Sequence, residues 1–264
     1  MPNVTATRRA LTFSGIGLLA GLLAGFFGVG GGIIVVPLLI LLLHTDQRQA
    51  SVTSLVAIIP TSLVAASAFL ASGTVPLDQT IYGVIIAIGS TITAPLGAWA
   101  LRTWRLTTIR WIFIVVLLVA AIQVTYDFPD RNSHLEWSVG TVVVLIASGA
   151  VMGFVAGLLG VGGGLLIVPL LVLGFGVSDL TAKALSLIAM FPAAISGTIG
   201  SARAGKVDWT AGISLGVPMA LASIVGVWLA TVTPVEWASP LLAALLIYAV
   251  IQLVIRTISS MRKS

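Results

Sequence analysis

The sequence predicts an all-α, polytopic membrane protein built from two repeats, and three observations carry that prediction. Hydrophobic residues make up 58% of the chain and charged residues only 8%, against roughly 25% charged in an ordinary soluble domain. Apolar runs near or above the roughly 18 residues of a bilayer-crossing helix recur along the chain. One pattern occurs twice, as GLLAGFFGVGGGIIVVPLL over residues 21–39 and GFVAGLLGVGGGLLIVPLL over residues 153–171. A transmembrane β-barrel would show short alternating segments instead, and none occurs.

The elements follow in order from hydropathy and breakers. Residues 1–9 form a polar tail whose Arg8 and Arg9 imitate a signal peptide. The apolar run behind them holds the first copy of the repeat motif, so it reads as a retained first helix over 11–27, about 26 Å long. Glycines interrupt it, and a shorter piece over 33–43 spans about 16 Å. A polar loop at 44–50 leads to a span over 51–71, where Pro60 predicts a kink whose freed carbonyl needs another donor. A turn at 73–78 precedes a span over 80–101, and Arg102, Arg105 and Arg110 mark the next loop. A further span covers 109–124. The most polar stretch, YDFPDRNSHLEW, links the halves. The pattern then restarts over 138–159, breaks at glycines, and continues over 165–175, 180–199, 209–231 and 237–255, ending in a basic tail.

The duplication extends beyond the glycines. At a shift of 132 residues, Ser54-Leu55 meets Ser186-Leu187 and Pro60 meets Pro192; with a three-residue deletion, Gly97 and Trp99 meet Gly226 and Trp228. The expected units are a first transmembrane repeat over 1–125, an external linker over 126–137 and a second repeat over 138–264. Internal repeats of this kind characterise transporters.

Charge decides how the halves sit. If each glycine-broken segment crosses once, Arg48, Arg102, Arg105, Arg110 and Lys183 fall outside, five of thirteen basic residues. If each segment folds back, only Arg131 and Lys183 do, and the acidic linker lies outside. Cytoplasmic loops carry the excess of Lys and Arg. The prediction is therefore two inverted repeats, each a glycine-broken helical hairpin plus three transmembrane helices, with both termini cytoplasmic.

Gly21 and Gly25 form a G-x-x-x-G pair suited to close helix packing. Gly30, Gly31 and Gly32, with Gly162, Gly163 and Gly164, are consecutive and point all round a helix, so they predict unwound turns. Such turns expose backbone N–H groups before a new helix, a geometry that binds anions. On this reading Gly31→Ala and Gly163→Ala should impair binding more than folding. Nucleotide binding is excluded, because G-x-G-x-x-G would need glycine at Ile33 or Leu165 and no Lys follows as in a Walker loop.

Polar residues inside the spans are mostly hydroxyls: Thr53, Ser54, Thr61, Ser62, Ser67, Ser186, Ser196, Thr198 and Ser201. Helix hydroxyls commonly bond back to their own carbonyls, but Ser54 and Ser186 match across the repeat beside a proline. Gln123 and Gln252 match near span ends; His44 and His134 fall in loops. All eight acidic residues lie in loops or at span ends. Cation carriers place carboxylates inside the bundle, so an anion is the expected substrate. No nucleophile–base constellation occurs, so no enzyme activity and no cofactor are expected, and with no cysteine there are neither disulfides nor thiolate metal sites. The net charge of +5 sits in short loops, where it sets topology, so no nucleic-acid partner is expected.

The doubled G-x-x-x-G-x-x-G-V-G-G-G-x-x-x-V-P-L-L motif, the Ser-Leu…Pro pairs and the Gly-x-Val turns resemble the sulfite exporter TauE/SafE family of membrane permeases, over essentially the whole chain. The resemblance implies a bacterial or archaeal inner-membrane permease exporting small sulfur-containing anions: sulfite, sulfoacetate or related organosulfonates. The expected site comprises Gly30, Gly31, Gly32, Gly162, Gly163 and Gly164, with Ser54, Ser62, Ser186 and Ser196 as supplementary donors and Arg203 or Lys206 at the cytoplasmic mouth. Uptake of an organic anion and a passive anion channel are the alternatives. The lipid bilayer is the expected environment, and a homodimer is compatible with the sequence.

Overall fold

The structure, a computed structural model, describes residues 3–109, 111, 112, 114, 115, 118, 137–203, 207–234, 244, 247, 250, 251 and 254. Among them every regular element is helical: α1 (Asn3–Phe27), α2 (Gly32–Leu42), α3 (Gln47–Ala71), a 3₁₀ turn (Leu77–Gln79), α4 (Thr80–Thr103), α5 (Val139–Leu159), α6 (Gly164–Pro169), a π turn (Leu170–Gly174), α7 (Asp179–Ala202) and α8 (Trp209–Val232). Five apolar helices are long enough to cross a membrane, at Gln47–Ala71, Leu77–Thr103, Val139–Leu159, Asp179–Ala202 and Trp209–Val232. The protein is a polytopic helical membrane protein. Most of the span expected at 237–255, the linker at 126–136 with His134 and Arg131, and Lys206, Gln123 and Gln252 lie outside the described residues.

Capping explains where helices begin. Asp46 accepts from the Arg48 N–H at the start of α3, and Asp208 accepts from the Ala211 N–H at the start of α8. Ser138 and Ser178 do the same for α5 and α7. Two of these caps start a helix ahead of its apolar run, α3 at Gln47 and α7 at Asp179. One expected helix divides instead: the piece at 165–175 is helical only to Pro169 and then widens into a π turn. The equivalent Pro37 lies within the unbroken α2, so the proline alone does not set the π turn. In α3, the hydroxyls of Thr61 and Ser62, just after Pro60, donate to the Ala57 and Ile58 carbonyls in the turn the proline loosens.

The two halves interlock. The first helix of each repeat packs on the fourth helix of the other, α1 on α8 and α5 on α4. Glycine makes both contacts. A Cβ at Gly21 or Gly25 would overlap the carbonyls of Met219 or Ser223, and one at Gly153 or Gly157 those of Ser90 or Ala94. Gly226 and Gly97 return the approach toward Leu22 and Phe154. The close-packing role expected of Gly21 and Gly25 extends in both directions, to Gly17 and to the second repeat.

These registers also give direction. Partner numbers rise together along α1 and α8 and along α5 and α4, so each pair is parallel. Gly83 faces Leu185 and Ile188, Ser196 Oγ donates to the Thr91 carbonyl and Gly200 faces Pro95, so α4 and α7 are parallel too. Gly212 and Gly216 face Val56 and Ala57, which aligns α8 with α3. The Arg48 guanidinium, at the start of α3, donates to the Trp104 carbonyl just past the end of α4. Helices α1, α3 and α8 therefore run one way and α4, α5 and α7 the other.

Side chains facing outward are as apolar as the core. Val84, Ile88, Ile92 and Leu96 form one exposed stripe on α4, and Ile213, Val217, Leu221 and Trp228 another on α8. Spacings of four and seven residues put each set on one helix face, and such faces suit lipid rather than water. Gly15 and Gly153 separate propensity from packing. A Cβ at Gly15 meets nothing within 4 Å, so Gly15→Ala should leave stability unchanged or raise it by about 0.5–1 kcal/mol. Gly153→Ala should cost about 1–3 kcal/mol through overpacking. Thermal unfolding of both variants in detergent measures the difference.

Candidate functional site

Each glycine run turns the chain by entering left-handed backbone. Gly28, Gly30 and Gly31 have φ of 67°, 76° and 69°; Gly160, Gly162 and Gly163 have 70°, 87° and 75°. A left-handed conformation costs other residues roughly 1–2 kcal/mol each, which is why glycine alone supplies three in five positions. The Gly28 and Gly160 N–H groups close α1 and α5 by bonding the Ala24 and Ala156 carbonyls. Gly31 and Gly163 then open α2 and α6, accepting from Ile34 and Leu166 at 3.0 Å. The N–H groups of Gly32 and Ile33 fall in the first turn of α2, where a helix provides no internal acceptor.

The two turns meet. A Cβ at Gly164 would lie 2.8 Å from the Gly28 carbonyl and 2.6 Å from Ser186 Oγ, and one at Gly32 would press on the Gly160 carbonyl and Val161. Gly30 and Gly162 both face the Met190 methyl and the Ile58 side chain. Ile58 lies midway along α3 and Met190 midway along α7, and the two are equivalents at the shift of 132. The turns therefore come together at half the depth of the bundle, fully buried. Met190 fills the space between them.

The four candidate serines divide into two kinds. Ser62 donates to the Ile58 carbonyl at 2.7 Å and Ser196 to the Thr91 carbonyl at 2.7 Å, so their protons are committed to backbone. Ser186 touches Gly164 and makes only a weak 3.6 Å contact to Met190 Sδ. Ser54 is completely buried one turn from Ile58, and its Oγ has no hydrogen-bond partner. An unpaired buried hydroxyl costs about 1–3 kcal/mol. Arg203 lies exposed at the end of α7 and touches neither turn.

Sequence reasoning missed Lys183, treating it only as a topology exception. Its stem packs against Gly28, its Nζ lies 3.3 Å from Asp179 Oδ2, and the ammonium sits 5.8 Å from the centre of the Phe26 ring. The signal was its alignment with Ser51, whose hydroxyl donates to the Leu159 carbonyl beside the other turn. Asp179 begins its span as expected, yet it is buried and paired there. The remaining described acids, Asp46, Asp78 and Asp208, lie at helix starts, where they suit the positive end of the helix dipole.

Comparison with known proteins gives consistent results. The chain matches the family model described as Sulfite exporter TauE/SafE over residues 2–124 and 145–264. It is similar to the "Probable membrane transporter protein YunE" of Bacillus subtilis (strain 168), with 29% identity over 241 residues, 81% of this chain and 82% of that protein. It is also similar to a "Probable membrane transporter protein" of Xylella fastidiosa (strain 9a5c), with 28% identity over 201 residues, 74% of this chain and 75% of that protein. No solved structure matches it.

The geometry changes what substitution of the turns tests. At Gly163 a Cβ would add left-handed strain and lie 2.7 Å from the Met152 carbonyl; at Gly31 it would lie 2.7 Å from the Ala20 carbonyl. Backbone cannot give way as a side chain can, so both alanine variants perturb folding first, contrary to the expectation from sequence. Gly163→Ala should lower the thermal unfolding midpoint, whereas Ser54→Ala should leave it unchanged or raise it, since no bond is lost.

Proposed function

The chain belongs to the sulfite exporter TauE/SafE family, and from that premise we propose that it is a permease exporting small sulfur-containing anions such as sulfite, sulfoacetate or a related organosulfonate. The observation that carries the proposal is the meeting of the two glycine turns at half depth against Met190 and Ile58, with the unpartnered hydroxyl of Ser54 one turn from Ile58 on α3. Backbone N–H groups at Gly30–Gly32 and Gly162–Gly164 hold the oxyanion as a nest of aligned donors, and Ser54 and Ser186 add hydroxyls. Donors without a carboxylate among them favour an anion over a cation. No cofactor enters this reading, which treats the chain as a carrier and not an enzyme.

Met190 governs occupancy. An unbranched thioether has several accessible rotamers, so its methyl can withdraw from between Gly30 and Gly162 when an anion enters. The opposed directions of α1, α3 and α8 against α4, α5 and α7 support inverted repeats, because equivalent helices fall in opposite sets. Rocking of one repeat against the other then exposes the midpoint to each face in turn. The distribution of Arg and Lys supports cytoplasmic termini, and membership of the family supports residence in a bacterial or archaeal inner membrane.

Flux into proteoliposomes of sulfite, sulfoacetate, taurine, sulfate and acetate, with and without a pH gradient, tests the substrate. Saturable movement of sulfite or a sulfonate is expected; a chain that moves no sulfur oxyanion ends the proposal. Ser54→Ala should raise KM several-fold while keeping its folded yield. For topology, the cysteine-free background allows Asp46→Cys and Asp78→Cys, both at exposed positions. Only the second should react with an impermeant thiol reagent applied to intact cells, and equal labelling of both would refute the folded-back hairpin.

A further inference from the structure

A cavity of about 310 Å³ opens where α3 begins and α4 and α7 end, lined by Asp46, Arg48, Gln49, Val52, Arg102 and Ser201, with Leu101. Its volume falls in the range of small-molecule sites, roughly 300–1,000 Å³. Its titratable lining groups are Asp46, Arg48 and Arg102, a net of one positive charge. Asp46 already caps α3, which leaves the two guanidinium groups as the groups without a stated structural requirement beyond the bond from Arg48 to the Trp104 carbonyl.

Two polar atoms in the lining have no partner. Ser201 is 2% exposed and its Oγ makes no hydrogen bond; Arg48 Nε is buried and makes none. One turn deeper on the same face of α7, Thr198 is 2% exposed and its Oγ1 is also unpartnered. Buried polar atoms are nearly always paired, so three orphans around and below one cavity point to a ligand or its path. The repeat supplies a control. The equivalents of Arg48 and Arg102 at the opposite end of the bundle are Leu180 and Thr231, and that of Ser201 is Phe69. Neither arginine has a charged equivalent there, so the packing of these helix ends does not demand them.

We propose that this cavity is an anion-binding vestibule, in which Arg48, Arg102 and the Ser201 hydroxyl capture a small oxyanion before it passes Thr198 toward Ser54 and the glycine turns. The inference rests on the anion reading above and adds a second site about two helical turns or more from the first. Two guanidinium groups suit a sulfonate or sulfite through paired N–H donors. A cleft of net positive charge concentrates anions and speeds their entry. The vestibule is one-sided, so it makes the carrier asymmetric even though the two repeats are matched.

The same donors would accept a phosphate from a lipid headgroup, so the test separates the two. Gln49→Cys places a thiol in the cavity of an otherwise cysteine-free chain. Anionic and cationic methanethiosulfonate reagents of similar size are compared in the full chain, in vesicles of neutral lipid and of anionic lipid. The anionic reagent should react about tenfold faster, within the range that charged clefts produce. Millimolar methanesulfonate should slow the reaction, and Arg102→Gln should remove both the preference and the protection. Ser201→Ala, which breaks no bond, should weaken the protection at unchanged folded yield. Equal reagent rates, or protection that survives Arg102→Gln in a folded protein, would overturn the vestibule. So would protection by methanesulfonate that vanishes in anionic vesicles, which assigns the cavity to lipid. Labelling requires no flux. A chain protected here that moves no sulfur anion refutes the transport reading, and a chain that moves them without protection here refutes the vestibule.

Discussion

Contact of glycine backbone with carbonyl oxygen is the interaction on which this fold depends. Lipid tails are as apolar as leucine, so burying Leu against Leu gains little inside a bilayer, and helices must associate through dispersion, weak C–H···O contacts and hydrogen bonds. All of these improve as backbones approach. Gly17, Gly21 and Gly25 let α1 approach α8, and Gly149, Gly153 and Gly157 let α5 approach α4 in the same register. Because each of these pairs joins one repeat to the other, the glycines hold the two halves as one bundle. The outward stripes on α4 and α8 then need only match the solvent around them.

The central turns use the same residue for another reason. Packing glycines sit in regular helix and are needed for the space a Cβ would fill; Gly28, Gly30 and Gly31 are needed for positive φ. The chain can leave one helix and start another within five residues only with that freedom. The consequence is polar backbone at half depth, where unsatisfied groups are expensive and non-helical segments persist only against protein or a cavity. In the described structure the two turns press on each other, on Met190 and on Ile58. On the proposed reading, a transport cycle exchanges a methionine methyl for an anion, a trade of dispersion contacts for charge-assisted hydrogen bonds.

Much of this was legible in the chain. Among the described residues hydropathy located the spans, glycine and proline located the breaks, and the shift of 132 residues paired positions such as Ile58 and Met190 that lie at matching points of their helices. Errors fell where local pattern competes with caps or tertiary contact. Asp46 and Ser178 start helices ahead of their apolar runs, and the piece expected at 165–175 ends in a π turn after Pro169. Among the hydroxyls, the type of residue could not distinguish Ser54 from Ser62. Only the acceptor beside each decides whether its proton is already used, and acceptors come from the fold. Lys183 was visible as a charge in an apolar run, but its packing on Gly28 and its pairing with Asp179 depend on the meeting of α1 with α7.

By itself the sequence determined the environment, the duplication and the family, because composition, period and motif are properties of the chain. Tertiary structure alone decided which glycines touch which carbonyls, that the two turns meet at the midpoints of α3 and α7, and that Ser54, Thr198 and Ser201 are left without partners. Those facts depend on separations between residues more than a hundred positions apart, such as Gly21 with Met219 and Arg48 with Ser201. No local pattern encodes them; close approach of backbones within the bundle does.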